Sequence, residues 1–206
     1  MTSTDAAPLE PEDAKVALRA VIRKQRQQRS ERRLAEHAEA FRDQVLAMPS
    51  VATASCVSVY ASRPHEPGTL PLIEALHERG IRVLIPLLGD GLQRGWGVYA
   101  GASDLTERAP GRPPEPSGSF LPSAALYEAD VVIVPALAVD TSGTRLGQGG
   151  GWYDRALVDV RDDAPIVALT FAGEVHDART SPLPCEPHDV GVSAVITPEG
   201  LTPLPH

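Results

Sequence analysis

The stretch VVIVPALAVDTSGTRLGQGGGWYDRAL, residues 131–157, decides the fold of this chain. It opens with four apolar β-branched residues, which predict a strand buried on both faces of a parallel sheet. Pro135 ends this strand, and apolar spacing from Trp152 to Val160 predicts a helix. Between them, glycine stands at positions 147, 149, 150 and 151. Glycines and a helix start both present free backbone N–H groups to an anion, so we interpret the segment as a phosphate-binding loop.

Two charged side chains of the same stretch support this interpretation. Arg145 carries a planar guanidinium that matches phosphate, and Asp154 offers carboxylate oxygens to a magnesium ion beside phosphates. A flexible turn, in which Asp154 only complements the helix dipole, is the alternative. No lysine follows the glycines, and Trp152 stands where the pattern GxGxxG from Gly147 needs its third glycine. The sequence therefore argues against a P-loop NTPase and a Rossmann dehydrogenase.

Length and charge restrict the class of protein. The chain has 206 residues, which suits one domain with a proper core, so we expect a disordered tail over 1–11 and a single α/β domain over 12–206. A formal charge of −8 argues against nucleic acid or an anionic membrane as the main partner. No apolar run approaches the ~20 residues of a membrane span, and the acidic N-terminus lacks a signal-peptide core. We expect a cytoplasmic monomer.

The remaining sequence alternates predicted helices with predicted strands. We expect helices at 12–28, from Ser30 to Pro49 and from Thr69 to Gly80, and strands at 55–60, 81–85 (closed by Pro86), 166–170 and 195–197. A hairpin around Gly89–Asp90–Gly91 is predicted over 87–102, and a long loop over 103–123. This alternation predicts a mixed, mostly parallel sheet with helices on both faces. Ligands of such folds bind outside the carboxyl ends of the strands, where the glycine loop falls.

Charged residues outside the loop allow two interpretations each. Lys15 and Arg19 are four apart on the first predicted helix and therefore share a face. Their residue types favour a solvated face, and a cationic clamp for phosphate is the alternative. Glu115 is the most notable carboxylate of the long loop, where a solvated side chain is favoured. The two cysteines, Cys56 and Cys185, lack metal-ligand spacing and are expected to be free thiols.

Taken together, these segments resemble the 5-formyltetrahydrofolate cyclo-ligase family. PALAVDTSGTRLGQGGGWYDR, residues 135–155, is similar to the family's VPxxxFDxxGxRLGYGGGYYDR. Four shorter segments agree in the same order: KVALR at 15–19, Tyr60 followed by EPGT at 66–69, Glu115–Pro116, and PCEPHD at 184–189. The chain departs from the family pattern at four positions. Val139 stands where the family usually has Phe, Gln148 and Trp152 replace tyrosines, and Glu174 stands where many members carry Gln.

This resemblance implies a CoA-transferase-like three-layer architecture, which sugar-phosphate isomerases also have. It implies ATP-dependent cyclisation of 5-formyltetrahydrofolate to 5,10-methenyltetrahydrofolate, through a phosphorylated formyl group, with release of ADP and phosphate. ATP is then a co-substrate, Mg²⁺ a cofactor, and the partners are small molecules. Two alternatives stay open: a sugar-phosphate isomerase-like enzyme that uses the loop for a phosphomonoester, and a non-catalytic folate or nucleotide binder of the same fold.

The resemblance also implies roles for individual residues. Lys15 and Arg145 would be catalytic. The ATP-binding set would be Lys15, Arg19, Arg145, Leu146, Gly147, Gln148, Gly149, Gly150, Gly151, Trp152 and Tyr153. The folate would contact Glu66, Gln148, Trp152 and Tyr153, and Mg²⁺ would be positioned by Asp154 and Asp189. Glu115 and Asp140 are weaker candidates, and Asp140 could serve only to fix the loop.

Overall fold

The computed structural model describes residues 10–89, 93–101 and 103–205. Its α-helices within these residues are α1 Pro11–Arg26, α2 Glu31–Leu46, α3 Pro49–Ala52, α4 Leu70–Glu78 and α5 Trp152–Ala156. Short 3₁₀ helices span Ser123–Glu128, Leu157–Asp159 and Ala172–Glu174. The strands are β1 Cys56–Val59, β2 Arg82–Leu88, β3 Arg94–Val98, β4 Leu121–Pro122, β5 Val131–Pro135, β6 Ala138–Asp140, β7 Arg145–Leu146, β8 Ile166–Leu169, β9 Val175–His176, β10 Ala194–Thr197 and β11 Gly200–Pro203.

Most strands belong to one large sheet with the order β11-β10-β8-β5-β1-β2-β3-β4. Its central strands β10, β8, β5, β1 and β2 are parallel, and the antiparallel strands β11, β3 and β4 lie towards its edges. A smaller sheet, β7-β6-β9, lies after β5 along the chain. The predicted mixed, mostly parallel sheet is therefore confirmed.

The core forms where the strands are apolar on both faces. All residues of β1 and β8, and Val131–Val134 of β5, are buried, so the sheet is covered on both sides. One group of helices is α2 with α4, which pack together and bury Phe41 and Leu72. The other group is α5 with the 3₁₀ helices at 123–128 and 157–159. Among the described residues, none of the helices combines the length and apolar character that crossing a bilayer demands.

The order of the strands places a ligand site between β1 and β5. From β1 the chain crosses to β2 on one side, and from β5 it crosses to β8 on the other. The loops over 60–69 and 136–151 therefore leave the carboxyl ends of two neighbouring strands in a region where the connections diverge. Such a switch point opens a crevice, which is the usual ligand site of open α/β sheets.

The second predicted strand does not end before Pro86, because β2 continues to Leu88. Backbone hydrogen bonds join Val83 to Tyr99 and Gly89 to Gln93, just beyond the two ends of β3, so the odd-numbered residues of β2 form the hydrogen-bonded pairs with β3. Pro86 is even-numbered, and its missing N–H would point away from β3. The strand therefore tolerates this proline.

Other predicted boundaries also change. The helix expected over 152–160 is α5 followed by a 3₁₀ turn, because the tighter turn buries Leu157 and brings Asp159 to a hydrogen bond with Ser123. The helix α2 ends at Leu46, before the predicted end at Pro49, and Pro49 begins α3, because its fixed φ suits a first helical position. The strands β4, β6, β7, β9 and β11 were not predicted, and all five have four residues or fewer; β4 lies within the predicted long loop over 103–123.

Two predictions fall partly outside the described residues. The helix α1 begins at Pro11, which is the last residue of the predicted tail. Residues 1–9 are not described, so the disorder of the tail stays a prediction. The predicted hairpin is present as β2 paired with β3, but its turn at Asp90–Gly91 and residue 102 lie outside the described residues.

Asp130, just before β5, attaches this strand to the start of β1. Its Oδ2 accepts the backbone N–H groups of Ser55 and Cys56, at 2.7 and 3.0 Å. Burial acts to raise the pKa of Asp130, but the backbone N–H groups of Cys56 and Ser55 and the nearby Arg161 outweigh it, so the pKa lies below its usual value. The carboxylate therefore stabilises the fold in its charged form.

Replacing Asp130 by asparagine should remove this pH-dependent contribution. The pKa of Asp130 is lower in the folded protein than in the unfolded chain, where it is about 3.9. The carboxylate therefore stabilises the fold fully above the unfolded pKa, and this stabilisation is lost as the pH falls through the folded pKa. We expect Asp130→Asn to lose about 1 kcal/mol at pH 7. Its free energy of unfolding should also fall less than that of the wild type between pH 6 and pH 3, measured by urea denaturation. The exposed Asp162→Asn is the control, and equal acid slopes in all three proteins would contradict the prediction.

Candidate active site

A cavity of about 460 Å³ lies at the carboxyl ends of β1, β2 and β5. Its wall includes the ends of these strands, the first turns of α1, the glycine loop and part of the loop before β10. Every site residue predicted from the sequence lies on this wall: Lys15, Arg19, Glu66, Arg145, Leu146, Gly147, Gln148, Gly149, Gly150, Gly151, Trp152, Tyr153, Asp154 and Asp189. The structure thus brings these residues to one cavity, and their individual roles stay predictions.

The glycine loop needs its glycines for two different reasons. Gly149 has φ of 96°, in the left-handed region that other residues rarely adopt. At Gly147 an added Cβ would lie 2.7 Å from Nη1 of Arg145, so a side chain there would displace the guanidinium. The loop is therefore shaped to hold Arg145 tightly against its backbone.

Arg145 is a buried cation on the cavity wall, with 2% of its side chain exposed. Its Nη2 donates to Asp154 Oδ1 at 2.6 Å, and Nη1 donates to the Pro135 carbonyl at 3.4 Å. Within the described part of the chain, Arg145 Nε and the Tyr153 hydroxyl are buried without a hydrogen-bond partner. Burial raises the pKa of Tyr153, which keeps this hydroxyl protonated and able to donate. Two buried polar groups beside the cavity are thus unpaired among the described residues.

Lys15 is buried, and its interpretation as part of a solvated face is wrong. Only 4% of it is exposed, and Nζ donates to Asp189 Oδ2 at 2.5 Å and to Glu186 Oε2 at 2.7 Å. Burial acts to lower the pKa of Lys15, but its hydrogen bonds to Asp189 and Glu186 and the charges of these carboxylates outweigh burial and raise the pKa. Arg19, with 12% of its side chain exposed, donates from Nε to the Gly147 carbonyl at 3.2 Å. Both cations face the cavity because packing of α1 turns them inward.

The two predicted magnesium ligands are each bound to a cation. Asp154 pairs with Arg145, and Asp189 with Lys15. Of the described residues, Glu186, His188 and Asp189 have ligand atoms within 4.8 Å of one another, and Asp154 is not in that cluster. Carboxylate oxygens fit Mg²⁺, which prefers oxygen ligands. The structure thus adds Glu186 and His188 beside Asp189, and the sequence argument assigned neither of them to the metal.

Gln148 connects three elements around the cavity. Its Nε2 donates to Glu66 Oε1 at 2.7 Å, and its carbonyl and Oε1 accept from Arg23 Nη2 at 2.7 and 3.1 Å. Glu66 Oε2 also accepts the backbone N–H of Arg63 at 2.8 Å. The side chain of Gln148 therefore joins α1 to the loop after β1. Sequence reasoning missed Arg23, although it continues the four-residue spacing of Lys15 and Arg19 and could have been found from it.

Trp152 is placed by another aromatic residue. Its ring is nearly perpendicular to that of Trp96, at 82° with the centroids 4.9 Å apart. Trp96 lies fully buried in β3 and donates from Nε1 to the Ser123 carbonyl. The tryptophan that replaces a family tyrosine is thus matched by an aromatic neighbour on the sheet.

The two weaker candidates, Glu115 and Asp140, differ in position. The solvated reading of Glu115 is wrong, because only 5% of this residue is exposed; it lines the cavity, and its Oε1 accepts from the Leu88 backbone N–H at 3.2 Å. Asp140 is 1% exposed and accepts backbone N–H groups of Ser142, Thr144 and Leu183 instead. It is not among the residues that line the cavity, and its hydrogen bonds fix the turn after β6.

A buried ion pair attaches α1 to the sheet and was not predicted. Glu174 accepts from Arg26 Nε at 3.0 Å and from Arg26 Nη2 at 2.7 Å. Arg26 Nη2 also donates to the Ala136 carbonyl at 2.7 Å, and Glu174 accepts from the Thr170 hydroxyl and the Phe171 N–H. The only sequence signal was that Glu174 stands where many family members carry Gln.

Comparison with known proteins assigns the chain to one family. The sequence profile described as the 5-formyltetrahydrofolate cyclo-ligase family matches residues 11–198. A relative from Mycolicibacterium smegmatis, named 5-formyltetrahydrofolate cyclo-ligase, is 40% identical over 149 residues, which are 69% of this chain and 73% of the relative. A relative of the same name from Escherichia coli (strain K12) is 31% identical over 181 residues, which cover 86% of this chain and 97% of the relative.

Two solved structures share the fold. The NMR structure of Aquifex aeolicus 5,10-methenyltetrahydrofolate synthetase matches with a TM-score of 0.77, 24% identity and 92% of each chain. A 5,10-methenyltetrahydrofolate synthetase from Mycoplasma pneumoniae matches with a TM-score of 0.67, 17% identity, 88% of this chain and 97% of its own. At these identities the likeness confirms the α/β fold.

Removing Glu174 should be far more costly than removing an exposed glutamate. Glu174→Ala leaves the Arg26 guanidinium, with 3% of its side chain exposed, without its counter-charge. We expect a loss of about 3 kcal/mol or more in the free energy of unfolding, measured by urea denaturation. Glu36→Ala, which breaks only the exposed i,i+4 pair with Arg32, is the control and should cost about 0.5 kcal/mol or less. Similar losses in both variants would show that the buried pair does not hold α1.

Proposed function

Since this chain belongs to the 5-formyltetrahydrofolate cyclo-ligase family, we propose that it converts 5-formyltetrahydrofolate and ATP to 5,10-methenyltetrahydrofolate, ADP and phosphate. One observation carries the proposal. Two buried cations, Lys15 and Arg145, lie on the wall of one cavity together with the glycine loop and Glu66. This combination suits a polyphosphate and a second, hydrogen-bonding substrate held side by side.

The proposed reaction has two bond-forming steps. The formyl oxygen attacks the γ-phosphorus of ATP, the bond to the bridging oxygen breaks, and ADP leaves. The formyl carbon then carries phosphate, which is a good leaving group, whereas the original amide oxygen is a poor one. N10 attacks this carbon, the carbon–oxygen bond breaks, phosphate departs and N10 loses its proton. Such a reaction needs alignment and charge neutralisation rather than a nucleophile from the protein.

Three cations are proposed to hold the phosphates. Lys15 stays charged, because its pKa is raised, and Arg19 reaches the loop backbone at Gly147. Both would contact the non-transferred phosphates together with N–H groups of the glycine loop. Arg145 would stabilise the charge of the transferred phosphoryl group. Its Nε is a donor with no hydrogen-bond partner in the described chain, and its low exposure strengthens the interaction.

The carboxylates of the cavity fit the magnesium ion of an ATP complex. Asp154 and Asp189 would hold the ion directly or through water, with Glu186 next to Asp189. The ion, when bound, neutralises phosphate charge and orients the polyphosphate chain. As phosphate oxygens take over Lys15 and Arg145, the two aspartates lose their present partners and become free for the cation.

The pterin ring is proposed to bind at Glu66. This carboxylate is held from both sides, by the Arg63 backbone N–H and the Gln148 amide, so its orientation is set before the substrate arrives. Its oxygens would accept N–H groups of the pterin. Trp152 and Tyr153 would lie between folate and nucleotide, and the protonated Tyr153 hydroxyl would donate to one of them. This arrangement aligns the formyl oxygen with the γ-phosphorus.

Turnover with purified protein tests the proposal. Wild type with ATP, Mg²⁺ and 5-formyltetrahydrofolate should develop the ultraviolet absorption of the methenyl product, and Arg145→Ala should lower kcat by about 10²–10³-fold. The exposed Arg32→Ala serves as the control and should match wild type. ATP-independent turnover of a sugar phosphate, without the methenyl band, would point instead to an isomerase-like enzyme, and ligand binding without turnover would point to a non-catalytic binder.

The magnesium requirement tests the two aspartates separately. Asp154→Asn and Asp189→Asn should each need about tenfold more Mg²⁺ for half-maximal turnover, because each loses a charged oxygen ligand. Asp162→Asn, exposed and outside the cavity, should keep the wild-type requirement. Unchanged Mg²⁺ dependence in both cavity variants, with circular dichroism showing intact folds, would rule out the proposed ligands.

A further inference from the structure

The outward side of α1 is exposed and mostly apolar. The buried residues of this helix, Lys15, Ile22 and Arg26, lie together on its other side. The outward residues follow the spacing i, i+3, i+4, i+7, i+8 and i+11, which belongs to a single helix face. They are all exposed, and we call them the outer face of α1: Asp13, Val16, Ala17, Ala20, Val21 and Lys24. The two valines have 55% and 52% of their surface exposed, which is high for apolar side chains on one helix face.

A charge stands at each end of the outer face. Asp13 lies in the first turn of α1, and Lys24 lies in the last. The order Asp, Val, Ala from residue 13 is mirrored by the order Ala, Val, Lys up to residue 24, so the apolar pattern is the same from both ends while the charge changes sign. Over residues 10–89, 93–101 and 103–205, neither Asp13 nor Lys24 forms an ion pair. Both charges are therefore available to a partner.

We propose that the outer face of α1 binds the same face of a second copy of this chain, with the two helices antiparallel. A two-fold axis midway between positions 18 and 19 sets Val against Val and Ala against Ala. It also sets Asp13 against Lys24 of the partner subunit, and Lys24 against Asp13 of the partner subunit. A parallel pair would instead bring like charges together at both ends. The charges therefore select the antiparallel direction.

The middle of the outer face suits close packing of two helices. Alanine side chains at the crossing point let the helix axes approach to about 8 Å, and the valines beside them then leave water. The antiparallel direction also brings the positive end of each helix dipole towards the negative end of the other. One helix face per copy is smaller than half of a standard interface of about 1,600 Å², so the contact is weak, with a Kd of about 100 µM. At low concentration the chain then stays the monomer that its sequence predicts.

The dimer leaves the active site open. Lys15 and Arg19 project from the other side of α1 into the cavity, and within the described linings the outer face contributes to neither of the two cavities. The buried pair of Arg26 and Glu174 fixes α1 to its own sheet, so the helix presents the outer face as a firm surface. The inference goes beyond the proposed function and does not depend on it.

Sedimentation equilibrium of the full chain tests the inference. Between about 5 and about 500 µM, wild type should pass from monomer to mostly dimer. Asp13→Lys and Lys24→Asp should each raise the Kd about tenfold or more, because each variant sets like charges against one another at both ends of the contact. Combining the two substitutions in one chain sets opposite charges together again, so the double variant should regain the wild-type Kd.

An equimolar mixture of the Asp13→Lys and Lys24→Asp proteins gives the sharpest result. Only a pair made of one variant and the other joins opposite charges at both ends, so the mixture should dimerise although each variant alone does not. Both substitutions oppose the helix dipole, so circular dichroism of every variant checks that α1 persists. Arg79→Asp reverses an exposed charge outside the outer face, serves as the control and should keep the wild-type Kd.

Three results would overturn the inference. A wild type that stays monomeric at about 500 µM would show that a second copy does not cover the outer face. A dimer that both charge reversals leave unchanged would show that the contact lies elsewhere on the chain. Failure of both the double variant and the mixture to dimerise would refute the antiparallel pairing. Turnover of 5-formyltetrahydrofolate, measured on the same samples, tests the proposed function separately.

Discussion

The ion pair between Arg26 and Glu174 is the contact on which the site depends. It is buried, and Arg26 also donates to the Ala136 carbonyl just beyond β5, so the end of α1 is fixed to the carboxyl edge of the sheet. The helix then carries Lys15, Arg19 and Arg23 along the loops of that edge. A buried charge without its partner is costly, so this contact favours one placement of α1 strongly.

Charge pairing continues from this anchor into the cavity. Lys15 is held by Asp189 and Glu186, and Arg145 by Asp154. The cations proposed to act on phosphate and the aspartates proposed to act on magnesium thus neutralise one another in the protein. Binding of a metal–nucleotide complex would replace each ion pair within the protein with two contacts to the ligand. The cation would contact phosphate, and the carboxylate would contact the metal. The buried charges would then be paired both before and after ligand binding, which would limit the cost of burial.

Sequence reasoning was most successful where local chemistry and position agree. From one continuous stretch, the strand before the glycine loop was predicted correctly, and the loop and Arg145 lie on the cavity wall. It was wrong where the decision came from distant contacts. Lys15 and Glu115 were both predicted to be solvated. Packing of α1 buries Lys15 against Asp189, and the backbone N–H of Leu88 at the end of β2 donates to Glu115. Pro86 was predicted to end its strand. Only the pairing of β2 with β3 shows that residue 86 needs no backbone N–H for a hydrogen bond to β3.

By itself the sequence determined the α/β class, the parallel core strands and the glycine loop, because these follow from local apolar patterns and backbone freedom. It also contained the family resemblance that the comparisons confirm. Only the tertiary structure decided that Lys15 and Asp189 form a pair across 174 positions of sequence, and that Arg23 reaches Glu66 through Gln148. The physical reason is that burial and ion pairing depend on distances in space, which no local pattern of residues specifies.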